Sequence, residues 1–289
     1  PVKSPTSTVP VPQVLAKLNP PDHTYAPDLT IPAKKPGQNS FKYLFQCGKL
    51  YLAFYKKGIK NVTSTAKLAR KLRAKAARDE ARRAVTTSLG ILTRAEWQIV
   101  RRSRRDMLRL PGFAVLVLVL GEWMPLIALY ITGLIPEACR IPRQVERTLR
   151  KLEARRHARE ERLAIDAARL VSRDRKPGAT APAVIRAAGV RPEDVEKLDL
   201  YTLMRLSTTL DAHSRVWDWV FLTPPKSVLR WAVRRRLEYL RRDDELIKRD
   251  GGVQALGERE VRRACVERGI RVLGRGEREM RAALGEWLG

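Results

Sequence analysis

Helical spacing recurs along most of the chain, broken by short Pro- or Gly-rich stretches. Between residues 41 and 62, apolar side chains return at Phe41, Leu44, Phe45, Tyr51, Leu52, Tyr55, Ile59 and Val62. Lys42, Lys49, Lys56 and Lys60 gather on another face. This spacing predicts an amphipathic helix with a basic polar side, suited to a membrane interface or to packing against another protein. The Ala-rich stretch from Lys67 to Arg83 is more uniformly basic and reads as a solvated helix or a phosphate-binding face. Thr93 followed by Glu96 has the spacing of a capping box, so a further helix should open there. That helix leads into the longest apolar run of the chain, Leu110 to Ile135, 26 residues with one charge, Glu122. Residues 140–176 are dense in Arg with scattered Glu and predict a long solvated helix. From Leu198 onward, compact amphipathic units return. Leu229, Val233, Leu237 and Leu240 share one helix face, and Leu256, Val261, Ala264 and Cys265 share another. A last helix carries Met280, Leu284, Trp287 and Leu288, and Gly269 suits the left-handed position after a helix. Leu198, Leu203, Leu206 and Ser207 lie 58 positions before the Leu256 set, which suggests a weak internal repeat.

The apolar run is long enough to cross a bilayer. As a helix it would reach roughly 39 Å at about 1.5 Å per residue, more than the roughly 30 Å of hydrocarbon, so tilt or a kink is expected. Pro125 removes one backbone donor and supplies the kink. The alternative is a buried central helix of a soluble domain. Arg101, Arg102, Arg104, Arg105 and Arg109 precede the run, and Arg140, Arg143, Arg147 and Arg150 follow it. These flanks are too symmetrical to orient it. Glu122 must be protonated, paired or wetted in such a span. It reads either as a proton or cation relay or as a neutral carboxyl bonded to the backbone that Pro125 frees. One carboxylate on one span makes no pathway unless the chain forms a homo-oligomer.

Charge then narrows the partners. The 289 residues carry 58 Lys+Arg against 31 Asp+Glu, a net charge of +27, which points to nucleic acid or an anionic membrane. Cys47, Cys139 and Cys265 are too dispersed for a disulfide framework or a cysteine zinc site, and His23, His157 and His213 share no ligand spacing. Half of the 18 prolines fall in residues 1–40, which we expect to be an extended tether, free or wrapped on a partner. The chain opens on Pro1, so a presequence has been removed or the chain is a fragment. Lys176 to Pro182 reads as a linker. The expected order is therefore a tether (1–40), amphipathic and basic helices (41–109), a transmembrane helix (110–136), a basic arm (137–176) and a helical domain (177–289). No nucleophile–base pair, metal cluster or Gly-rich phosphate loop is evident, so neither an enzyme nor a cofactor is proposed.

The small helical pairs with basic faces resemble SAP-type nucleic-acid modules. A more extensive likeness rests on three stretches: Leu92-Thr93-Arg94-Ala95-Glu96 with Arg105-Asp106-Met107-Leu108-Arg109-Leu110-Pro111-Gly112-Phe113; Glu122-Trp123-Met124-Pro125; and Arg236 through Gly252 and Leu256 to Gly274, ending near Trp287-Leu288. Together they resemble the LETM family of mitochondrial inner-membrane proteins, over roughly residues 41–289. The resemblance implies an all-α protein with a single transmembrane helix followed by a helical, 14-3-3-like matrix domain that binds the mitochondrial ribosome. It implies rRNA, ribosomal proteins and inner-membrane lipids as partners. The expected function is a membrane-anchored receptor that tethers translating mitoribosomes for insertion of nascent proteins. A potassium–proton antiporter or its regulator, with Glu122 and Pro125 as the intramembrane functional residues, is the alternative from another class. An integral mitoribosome accessory subunit is a third. The cations expected to meet ribosomal phosphates are Arg234, Arg235, Arg241, Arg242, Lys248, Arg249, Arg262 and Arg263, with Arg150, Lys151, Arg155 and Arg156 on the arm. Asp243-Asp244-Glu245 and Gly251-Gly252 do not keep EF-hand spacing, so calcium control is not implied.

Overall fold

The computed structural model describes residues 11–34, 36–83, 91–120, 133, 135–173, 187–220 and 222–289. Every regular element among the described residues is helical, so the expected all-α class holds. The chain divides into two compact units, Pro1–Thr148 and Leu149–Gly289.

The first unit is built on α2 (Ser40–Arg83) and α3 (Arg94–Leu120). Tyr55 meets the Phe113 ring, Arg73 donates to the Val100 carbonyl, and Lys75 pairs with Glu96. Residue numbers rise on one helix as they fall on the other, so the two are antiparallel. α2 is one unbroken helix of 44 residues, where the sequence suggested an amphipathic part and a basic part. Its period lays Phe54, Tyr55 and Val62 into a core with Phe113, Ile135, Ala138, Cys139 and Ile141. Gly58 lets α2 approach closely there, since a Cβ would stand 2.8 Å from the Cys139 sulfur and 2.9 Å from the Ala138 carbonyl oxygen. Asp106 on α3 accepts from the Glu137 backbone N–H at 2.8 Å and so fastens the turn that follows the apolar run. The capping box forms as expected: the Thr93 N–H donates to Glu96 at 2.9 Å, and the Glu96 N–H donates to the Thr93 hydroxyl at 3.3 Å.

Two sequence expectations change here. Residues 1–40 are not extended throughout, because α1 (Val11–Leu18) forms within them. Pro12 sits in the first turn, where its missing donor costs nothing, and Pro20 and Pro21 follow the helix end. α1 is held by Arg94, whose fully buried guanidinium donates to the Leu18 carbonyl at 3.0 Å. The second change concerns the apolar run. The described part of α3 carries it to Leu120, and no helix among the described residues is long and apolar enough to cross a membrane. Phe113 and Ile135 share one core and Asp106 bonds the Glu137 N–H, so the two ends of the run meet, which the expected single transmembrane helix over 110–136 would not allow. Residues 121–132 and 134, Glu122 and Pro125 among them, lie outside the described residues, as does the expected linker at 176–182.

The second unit holds most of α4 (Pro142–Arg173), then α5 (Leu200–Thr209), α6 (Arg215–Trp219), α7 (Lys226–Asp250), α8 (Glu258–Glu267) and α9 (Glu277–Leu288). The internal repeat is visible in its first halves. α5 and α8 each have ten residues and start 58 positions apart. Past their ends, Asp211 (φ 47°) and Gly269 (φ 82°) take up the left-handed backbone, again 58 apart. Asp tolerates that region at modest cost and glycine does so freely. The elements that follow do not keep the register: α6 is a single short turn, and α9 has twelve residues.

Candidate functional site

α7 positions most of the expected cations. Pro225 precedes its first residue, and Lys248 and Arg249 stand in its last turn, where they complement the helix dipole. Over 25 residues it extends about 37 Å. Leu229, Val233, Leu237, Leu240, Leu246 and Ile247 are buried on its inner side. That face fixes the rotation of the helix, and the outer face then carries Arg234, Arg235, Arg241 and Lys248 exposed, with Arg242 half-buried. Arg234 pairs with Glu238 at 3.2 Å, and Arg241 pairs with Glu245 at 3.3 Å and Glu193 at 3.0 Å. The partners in these pairs are about half exposed, and such surface pairs contribute at most about 1 kcal/mol. A phosphate can displace them. Arg235 lies over the Trp231 ring at 5.2 Å.

The remaining cations divide between outward and inward. Arg150, Lys151 and Arg262 are exposed, and Arg249 bonds Asp250 at 2.7 Å. Arg263 is half-buried against Glu267 at 3.5 Å. Arg155 and Arg156 are not on a solvated face as the sequence suggested. Arg155 chelates Asp211 at 3.1 and 2.6 Å, and the buried Arg156 donates to the Val266 carbonyl at 2.9 Å. The charge of Arg155 is met within the unit, and the head of Arg156 is enclosed there. The expected solvated arm is therefore part of the packed structure between Glu153 and Arg159. The Glu153 carboxylate accepts from the Val272 and Leu273 N–H groups at 3.1 and 3.3 Å, while residues 160–162 and 164–166 are exposed.

Two charged networks that sequence reasoning missed hold this scaffold. Arg159, buried, bonds both Asp211 and Asp218. Beside it, His213 Nδ1 is 2.6 Å from the Ser207 hydroxyl, and Nε2 is 3.8 Å from Asp218. Burial disfavours charge on Asp218. The hydrogen bond and charge of Arg159, with His213 and Arg155, outweigh it and hold the carboxyl below its ordinary pKa. In the second network, fully buried Arg268 donates to Asp243 at 2.8 Å and also to Asp244, and Trp287 Nε1 donates to Asp244 at 3.1 Å. Burial alone would favour loss of the Arg268 proton, but the two carboxylates more than offset it. The acidic pair after Arg242 is therefore a structural counter-ion. Its signal in the sequence was an acidic pair on a helix position that the apolar period places inward.

Residues 192–289 match the family described as LETM1-like, RBD. No curated protein and no solved structure was found to match the chain.

Proposed function

We propose, from the premise that residues 192–289 are a LETM1-like RBD domain, that the second unit binds the mitochondrial ribosome through the outer face of α7. The first unit, on this reading, holds the protein at the inner membrane through its exposed apolar end rather than through one helix over 110–136, whose two ends meet. One observation carries the proposal. α7 is locked by an apolar inner face and displays Arg234, Arg235, Arg241 and Arg242 along its other side, opposed only by exposed carboxylates. Guanidinium groups so arranged suit the phosphates of a folded RNA, which bind them bidentately. The membrane role is supported by the first unit. α3 turns apolar toward Leu120 at the end of the hairpin where α2 begins, and there Phe41, Leu44, Phe45, Leu52, Val115, Leu118 and Val119 are all exposed.

The mechanism follows from that division. The apolar end fixes the chain at the bilayer, and the cationic helix neutralises phosphate on the ribosome. Nascent hydrophobic segments then emerge near lipid. Counter-ion release makes such binding fall steeply between about 50 and 200 mM salt. In co-sedimentation of detergent-solubilised protein with mitoribosomes, Arg234/Arg235/Arg241/Arg242→Ala should weaken binding at low salt. It should also flatten the dependence of log affinity on log salt by about 3. Binding that survives high salt and is unchanged in the fourfold variant would overturn the proposal.

A further inference from the structure

The second unit exposes large apolar side chains where a self-contained domain has no use for them. Val216, Trp219, Val220, Leu222, Val228 and Trp231 are all exposed, and they fall within sixteen residues spanning α6, the turn and the first turns of α7. Trp219 is 82% exposed and Trp231 62%. Val216, Trp219 and Val220 stand three and four positions apart and so share one side of α6. The intervening Asp218 points the other way, into its bonds with Arg159. Ser214 caps α6 by accepting from the Val216 N–H at 3.4 Å. The turn is thus held from behind and presents its apolar side outward.

Along the segment itself the charge is nearly one-signed. Asp218 is the only acid between Arg215 and Arg235, and it is spent on Arg159. Arg215 and Lys226 are exposed beside the apolar residues, and Arg235 lies over the Trp231 ring. Arg230 is neutralised by Glu196 at 3.5 Å, and Arg234 by Glu238. A single-stranded RNA would use the two indoles as stacking platforms but has no use for Val216, Val220 and Leu222. Exposed tryptophans, aliphatic side chains and cations within one short segment match a bilayer interface, where indoles sit at headgroup level and aliphatic groups reach the acyl boundary.

We propose that α6 and the start of α7 form a second, peripheral membrane contact that docks on an anionic lipid surface. Each cation at such a surface strengthens docking about fivefold. The contact adjoins the ribosome-facing side of α7 and shares Arg235 with it, whereas Val216 and Trp219 belong to the lipid contact alone.

The three native cysteines are buried, so a cysteine introduced at Trp219 or at Val216 is labelled selectively with an environment-sensitive fluorophore. The full chain is placed in nanodiscs of phosphatidylcholine alone, or of phosphatidylcholine with phosphatidylglycerol, each containing spin-labelled lipid. A label at exposed Ala282 on α9 serves as control. α9 lies toward the far end of α7, where Trp287 bonds Asp244. The expected result is strong quenching at 216 and 219 in anionic discs, several-fold less in neutral discs, and none at 282. Trp231→Ser and Arg235→Glu should each reduce quenching at 219. Equal quenching at 219 and 282 in anionic discs would overturn the proposal. So would a spectral shift at 219 that needs added ribosomes or RNA, since the patch would then serve a macromolecular partner.

Discussion

Arg268 shows how much one side chain can decide. It and Asp243 are fully buried, and Asp244 shares the same guanidinium. Removing one partner of a buried pair leaves a charge without compensation, at about 3–5 kcal/mol. Arg268→Ala should cost that much in urea unfolding. Arg268→Lys should recover little of it, because an ammonium cannot serve both carboxylates as a planar fork does. Gly269 is the neighbouring constraint. Its φ is +82°, and an added Cβ would stand 2.5 Å from the Thr209 carbonyl oxygen. Gly269→Ala should destabilise the second unit by about 1–3 kcal/mol in the same measurement. Here the sequence was legible, since a glycine after an amphipathic run marked the left-handed position. The ion pair was not, because its partners lie 24 and 25 positions apart and nothing local links them.

Among elements, the seam between α4 and the α5–α6 loop encloses a titratable group. His213 is buried there against Ser207, with Arg159, Asp211 and Asp218 as its charged neighbours. Burial and then the Arg159 charge lower its pKa below 6.5, against the opposing pull of the two aspartates. With the folded pKa lowered, the unfolded chain takes up the proton first as pH falls. The stabilisation is complete above about pH 6.5 and is lost as pH falls toward the folded value. The melting temperature of the chain should therefore decline from about pH 6.5 downward, and His213→Gln should flatten that decline. Unchanged slopes in the two proteins would remove His213 from the account. The α4 arginines that make this seam read as solvated in the sequence because helical charge density alone does not show which heads turn inward. Arg155, Arg156 and Arg159 do, drawn by Asp211, Asp218 and the Val266 carbonyl. The α3 start, in contrast, was readable to the residue. Thr93→Ala should cost about 1 kcal/mol in thermal unfolding, through loss of its cap.

At the scale of the molecule, two chemistries are kept in separate units. The first unit gathers exposed apolar side chains at one end of the α2–α3 hairpin, and the second carries the cationic face of α7. The apolar period of each helix was enough to foresee both, since Leu229, Val233, Leu237 and Leu240 had to face inward and so turned the arginines out. What that period could not give was the α1 helix, whose end is held by Arg94 reaching a carbonyl 76 positions away. The central claim is that the outer face of α7 meets the ribosome. It is tested most directly by a photo-crosslinking residue at Glu238, between Arg234/Arg235 and Arg241/Arg242, in the full chain with mitoribosomes. A second chain carries the probe at exposed Glu286 on α9. Crosslinks from 238 to rRNA or ribosomal protein that fade as salt is raised, with few from 286, are the predicted result. Crosslinks from 286 with none from 238 would contradict it.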